Sequence, residues 1–222
     1  LCYFVAMFVA LRETSALDAS ALYTTVPLIS ALVSMVVFRR RISALMAVAL
    51  LGGMAAAALI IFRGDLSQLA TLRLTNSNLI YLLGCVGMAV NPIVVKRCYR
   101  GEPFVYLTCW TLICATCLLT LLTAPRLLVT DWQGVAWSLW LGMGYLALFA
   151  TALSFFLFQQ GSVLLQPEQV SAYTYLIPVL VLMTEMVAGT TVNGSQVGVG
   201  VVGVLLTMVV MVLLPSPRGH DR

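Results

Sequence analysis

The chain has 222 residues and a formal net charge of +4; 61% of its residues are hydrophobic and 9% charged, and mean hydropathy is +1.03. Soluble domains carry about 25% charged residues, so this composition excludes an ordinary water-soluble globule and predicts an all-α polytopic membrane protein. The small net charge argues against nucleic acid as a partner, and the lone histidine, His220 in the tail, leaves no histidine-built metal or triad site.

A bilayer core asks for about 20 apolar residues per helix. Leu1–Leu11 is apolar but too short to span. It lacks the basic segment and small-residue cleavage site of a signal peptide, and reads as the end of a helix that begins earlier. Full spans are predicted over Leu17–Phe38, Ala44–Phe62, Asn78–Val95, Phe104–Ala124, Trp137–Phe158, Val170–Ala188 and Val197–Leu214. The connections carry turn chemistry: RETSALD, the basic turn FRRRIS, the long RGDLSQLATLRLTN, then KRCYRGEP, PRLLVTDWQG, QQGSVLLQPEQ and GTTVNGS. Asp18, Pro167 and Glu168 suit helix starts. The six cysteines, mostly inside apolar runs, read as packing residues rather than a disulfide framework.

Two of these spans resemble each other. SALYTTVPLISALVSMVVF (Ser20–Phe38) and SAYTYLIPVLVLMTEMVAG (Ser171–Gly189) align on Pro27 and Pro178, an offset of 178 − 27 = 151. At that offset Ser20 meets Ser171, Phe4 meets Phe155, Val48 meets Val199 and Gly52 meets Gly203. The pattern predicts a duplicated bundle: residues 1–62 the end of a first repeat, 63–76 an inter-repeat loop, 77–214 a second repeat and 215–222 a tail. The same offset places the start of the first repeat at 77 − 151 = −74, so about 75 residues are expected in front. Basic residues set orientation. Arg39, Arg40, Arg41, Lys96, Arg97, Arg100, Arg218 and Arg222 fall in one alternate set of loops, and Arg12, Arg63, Arg73 and Arg126 in the other. The richer set, and with it the C-terminus, is expected in the cytoplasm.

Proline frees a carbonyl one turn back and removes a donor, which a membrane tolerates only beside protein or a wet cavity. Pro27 and Pro178 therefore read either as breaks lining a cavity, exposing the carbonyls of Tyr23 and Thr174, or as structural kinks. Ser20, Thr24, Pro27, Ser30 and Ser34 form one helical stripe; Ser171, Tyr175, Pro178, Leu182 and Glu185 form its counterpart. These groups suit either a polar substrate or helix–helix bonding. Glu185 is the one acidic residue well inside a predicted span. It is a candidate for proton coupling, or it reaches water at the helix end. Asn91 and Pro92 either line the cavity or pack, and Ser154 and Phe155 are placed with them as cavity candidates. Gly194, Gly198, Gly200, Gly203 and the Gly52–Ala58 run serve close packing or a homodimer contact.

The order of small-rich helix, proline-centred helix, polar turn and Gly-rich helix resembles the drug/metabolite transporter superfamily, within it the ten-helix EamA-type exporters. The second repeat carries the match most fully, through GCVGMAVNPIVVKR, LGMGYLALFATALSFFLFQQGSVLLQPEQVSAYTYLIP and GVGVVGVLLTMVV. Where many members carry a glutamate after the proline helix, this sequence has Arg40 and Thr191. The resemblance implies an inverted-repeat inner-membrane carrier. Its central cavity would be lined by the first, third and fourth helices of each half, with the fifth helices peripheral. The activity the resemblance implies is outward movement of a small metabolite (an amino acid or similar) or drug-like solute by alternating access, with no cofactor. A non-transporting scaffold is the alternative. An integral-membrane enzyme would need ionisable groups clustered at mid-depth, and the spans do not supply them.

Overall fold

The computed structural model describes residues 2–10, 16–39, 42–64, 75–129, 132, 134, 136–187 and 194–213, apart from the side chains at 2, 4, 16, 17, 126, 185 and 194–196. The described chain is helical, with no strand among the described residues. The elements are α1 (Cys2–Ala10), α2 (Ala16–Tyr23), α3 (Val26–Val37), α4 (Ala44–Ile61), α5 (Asn76–Cys98) and α6 (Phe104–Val129). Next comes a continuous rod of α7 (Trp137–Tyr145), a π-helical stretch (Leu146–Leu153) and α8 (Ser154–Leu164). The chain ends with α9 (Pro167–Ala172), a 3₁₀ turn (Tyr173–Tyr175), α10 (Leu176–Val187) and α11 (Gly194–Leu213).

Asp18–Val37, Ala44–Ile61, Asn76–Cys98, Phe104–Pro125 and Trp137–Leu164 are long and apolar enough to cross a membrane, and Val197–Leu213 is a shorter apolar helix. Their exposed side chains are themselves apolar, among them Leu32, Val36, Leu83, Leu121 and Val212. Such a surface matches lipid rather than water, and the protein is an integral membrane protein.

Both proline spans are interrupted. In the first, the helix gives way to a turn at Thr24–Thr25 and restarts at Val26, with Pro27 in the opening turn of α3. In the second, expected as one helix over Val170–Ala188, helix starts already at Pro167, tightens at Tyr173–Tyr175 and restarts at Leu176, two residues before Pro178. A proline in a helix's first turn forfeits no intrahelical bond, which is why each helix restarts there. At the first break the Thr24 and Thr25 hydroxyls donate to the carbonyls of Ala21 and Leu22, both at 2.6 Å. Pro92 and Pro125, by contrast, sit inside α5 and α6 without ending them.

The chain forms two compact units. One is Val95–Leu164. In it, Gln159 of α8 joins α6 by two bonds: its Oε1 accepts from the Thr108 hydroxyl and its Nε2 donates to Thr111 Oγ1, each at 3.0 Å. The other unit is Cys2–Val94 with Leu165–Arg222. Its broadest helix contact is α4 against α11. A Cβ on Gly200 would stand 2.9 Å from the Ala56 carbonyl oxygen, and one on Gly203 2.8 Å from Ala56 Cβ. The small residues thus set how closely these helices approach. At Gly52 and Gly198 a Cβ would meet nothing within 4 Å, so these two do not serve that contact.

Pro167–Ala172 is buried at all six positions and packs on α3, whose buried face is Val26, Pro27, Ser30, Ala31 and Ser34. Gln169 ties the helix start down. Its Oε1 accepts from the Gln166 amide at 3.1 Å, and its Nε2 donates to the Met211 carbonyl at 2.8 Å. That carbonyl lies in the last turn of α11, where no intrahelical donor is left for it.

Candidate substrate cavity

Within the larger unit lies a cavity of about 570 Å³. One wall is the segment running into the first break: Ala19, Ser20, Tyr23 and Thr24. The second break and α10 also line the cavity, through Thr174, Ile177, Pro178, Val181 and Leu182. These five recur at i, i+3, i+4, i+7 and i+8, one face of a helix. Tyr3 and Met7 of α1, Tyr81 of α5, and Ile60, Ile61 and Arg63 at the end of α4 complete the lining. Ile60 and Ile61 belong to what the family resemblance makes a peripheral fifth helix, and here that helix borders the cavity.

The polar end is a tyrosine trio. The Tyr3 ring lies 5.5 Å from Tyr23 and 6.1 Å from Tyr81, centroid to centroid, both tilted. The Tyr3 and Tyr81 hydroxyls are hydrogen-bonded at 3.3 Å. The Thr174 hydroxyl is buried with no hydrogen-bond partner.

The candidates read from sequence divide accordingly. Ser20, Tyr23, Thr24, Thr174 and Pro178 line this cavity. Pro27, Ser30 and Ser171 are buried where α3 and α9 pack, and are not part of its lining; the Ser30 hydroxyl has no partner there. Tyr175 lies one residue round from the lining face. Its hydroxyl donates to the Leu50 carbonyl of α4 at 3.1 Å, and its ring packs at Gly53. Asn91 and the fully buried Pro92 sit about 15 Å along α5 from Tyr81. Ser154 and Phe155 belong to the other unit, where the Ser154 hydroxyl donates to the Ala150 carbonyl. Glu185 falls in the last turn of α10, with its side chain outside the described residues.

Tyr3, Tyr81 and Arg63 were not legible as site residues. Tyr3 and Tyr81 are 78 residues apart and belong to no motif, and Arg63 reads from sequence only as a loop charge. No group of three or more His, Cys, Asp or Glu placed to hold a metal occurs among the described residues.

A sequence model of the EamA-like transporter family matches residues 76–213. The chain belongs to the EamA-like transporter family. It is 20% identical over 199 residues to the "Uncharacterized transporter YyaM" of Bacillus subtilis (strain 168), covering 90% of this chain. The chain spans 65% of the length of that curated relative. A solved structure, "Crystal structure of protein", superposes with a TM-score of 0.69 at 19% identity, covering 98% of this chain and 73% of that one. At that identity the match speaks for the fold.

Proposed function

We propose that the protein is a secondary carrier of the drug/metabolite type, moving a small metabolite, an amino acid or similar, or a drug-like solute by alternating access. The observation that carries this is the cavity of about 570 Å³ faced by both broken proline segments. Its volume is that of a small-molecule site, and interrupted helices in matching positions of two repeats are where transporters hold substrate. In this reading residues 1–62 and 77–214 are inverted repeats. The breaks at Thr24–Thr25 and Tyr173–Tyr175 support it, because the offset of 151 carries Thr24 onto Tyr175.

The reading includes export, suggested by the family resemblance, a bacterial inner membrane, and a cytoplasmic C-terminus, suggested by the basic loops. Glu185 is the proposed group for proton coupling, and a homodimer the proposed assembly. Reconstituted proteoliposomes preloaded with labelled metabolites test the function. Solute-specific efflux that Val181→Trp abolishes is expected. Efflux no different from empty liposomes would leave the scaffold reading standing.

A further inference from the structure

Among the described residues two buried hydroxyls have no hydrogen-bond partner, those of Ser30 and Thr174. Ser30 is shut in where α3 packs on α9, whereas Thr174 lines the cavity. A hydroxyl taken out of water without a partner is a net cost to the fold. In an apolar helix the ordinary remedy is the carbonyl three or four residues back. Thr24, Thr108, Thr111, Thr184 and Thr207 all take it. Thr174 does not. It stands in the 3₁₀ turn Tyr173–Tyr175, where tighter winding changes the reach to the previous turn.

Thr174 as a whole is half-buried, and its hydroxyl is the covered part. A step from one χ1 well to the next swings that hydroxyl through a third of a turn, so a solute can recruit it without moving the backbone. From Thr174 the same face continues along α10 with Ile177, Pro178, Val181 and Leu182, an apolar surface about two turns long. A single polar anchor thus stands at the head of an apolar strip, at the point where the second proline segment is broken.

We infer that the Thr174 hydroxyl is a specificity-determining contact: the fold leaves it unpartnered, and it bonds the solute. It selects molecules with a hydrogen-bonding group at one end and an apolar body that lies along α10. A hydroxyl can donate or accept, so the solute's polar group is of either kind. This deepens the carrier reading by naming a contact and a solute class, and it rests on that reading. The cost to the fold and the gain to binding are two consequences of one group.

The test uses the full purified chain in detergent and N-acetylphenylalaninamide, a neutral probe with a phenyl body and amides that donate and accept. Thr174→Val keeps the side chain's shape and removes the orphaned group. Without probe, its Tm should match or exceed that of the native chain. With probe, titration calorimetry should show binding weaker by about two- to tenfold, the scale of one neutral hydrogen bond. Thr174→Ser should restore the affinity. Ser30→Ala removes the other orphan, and should match or exceed the native Tm with affinity unchanged. A lower Tm for Thr174→Val would show that the hydroxyl serves the fold, and would overturn the inference. Native affinity in Thr174→Val, with Val181→Trp still blocking the probe, would also overturn it while leaving the cavity as the site. No binding of the probe, or binding that Val181→Trp leaves intact, would overturn the solute class; efflux from preloaded proteoliposomes decides the carrier reading separately.

Discussion

Replacing Gly200 by alanine tests whether α4 and α11 are held at backbone distance. The new methyl would stand 2.9 Å from the Ala56 carbonyl oxygen and 2.7 Å from Ile60 Cγ1. Ile60 Cγ1 moves only if a stiff β-branched side chain turns about χ1, and the carbonyl belongs to α4's own ladder and cannot move. Overpacking of this kind costs about 1–3 kcal/mol. Alanine's better helix propensity returns about 1 kcal/mol, so a net loss of up to about 2 kcal/mol is expected. Gly198, two residues away on the same helix, is the internal control. Its Cβ would meet nothing within 4 Å, so Gly198→Ala keeps the propensity gain of about 1 kcal/mol. Thermal unfolding in one detergent, followed by circular dichroism, reads the difference. Gly200→Ala should lower Tm by up to about 8 °C, at about 2–4 °C per kcal/mol, and should in any case melt below Gly198→Ala, which should raise or preserve Tm. Equal Tm values for the two variants would refute the close approach.

Other expectations follow from single bonds. Gln159→Leu loses its bonds to Thr108 and Thr111 and should cost about 1–2 kcal/mol, read as a lower midpoint of denaturation. Tyr175→Phe gives up the bond to the Leu50 carbonyl and should cost about 1 kcal/mol; unchanged Tm would show that this bond does not hold α4. Glu102, outside the spans, accepts the Arg100 amide at 3.0 Å. Backbone hydrogen bonds from its own amide and from Arg100 hold its carboxyl below the usual range. A depressed carboxyl lends order above its unfolded-state pKa and loses it as pH falls through the folded one. Exchange of the Arg100 amide should therefore rise, relative to neighbouring amides, on acidification. Glu102→Gln should abolish that rise.

The two interruptions were legible because proline has one backbone consequence wherever it stands, and because the chain states it twice. The use of each face was less legible. Ser20, Thr24, Pro27, Ser30 and Ser34 share a stripe, yet the break at Thr24–Thr25 divides it. Ser20 and Thr24 reach the cavity, while Pro27, Ser30 and Ser34 are buried on the face of α3 that packs on α9. Periodicity shows that a face is shared and not which neighbour covers it. Glycine was similarly ambiguous. Gly200 and Gly203 meet α4 while Gly198 does not, a difference that depends on helix rotation. Of the cavity's polar end, Tyr23 was legible from its place beside Pro27; Tyr3 and Tyr81 were not, because they come from α1 and α5, and tyrosine in an apolar run looks like any other packing residue.

The central claim is that solute passes between the two broken segments. Thr174→Cys, in a background with the native cysteines replaced by serine or alanine, tests it most directly in proteoliposomes. Treatment with a charged methanethiosulfonate should stop solute flux, and saturating solute should slow that inactivation, whereas the same treatment of Leu180→Cys, on an exposed position of α10, should leave flux intact. Full flux after stoichiometric labelling at position 174 would contradict the account.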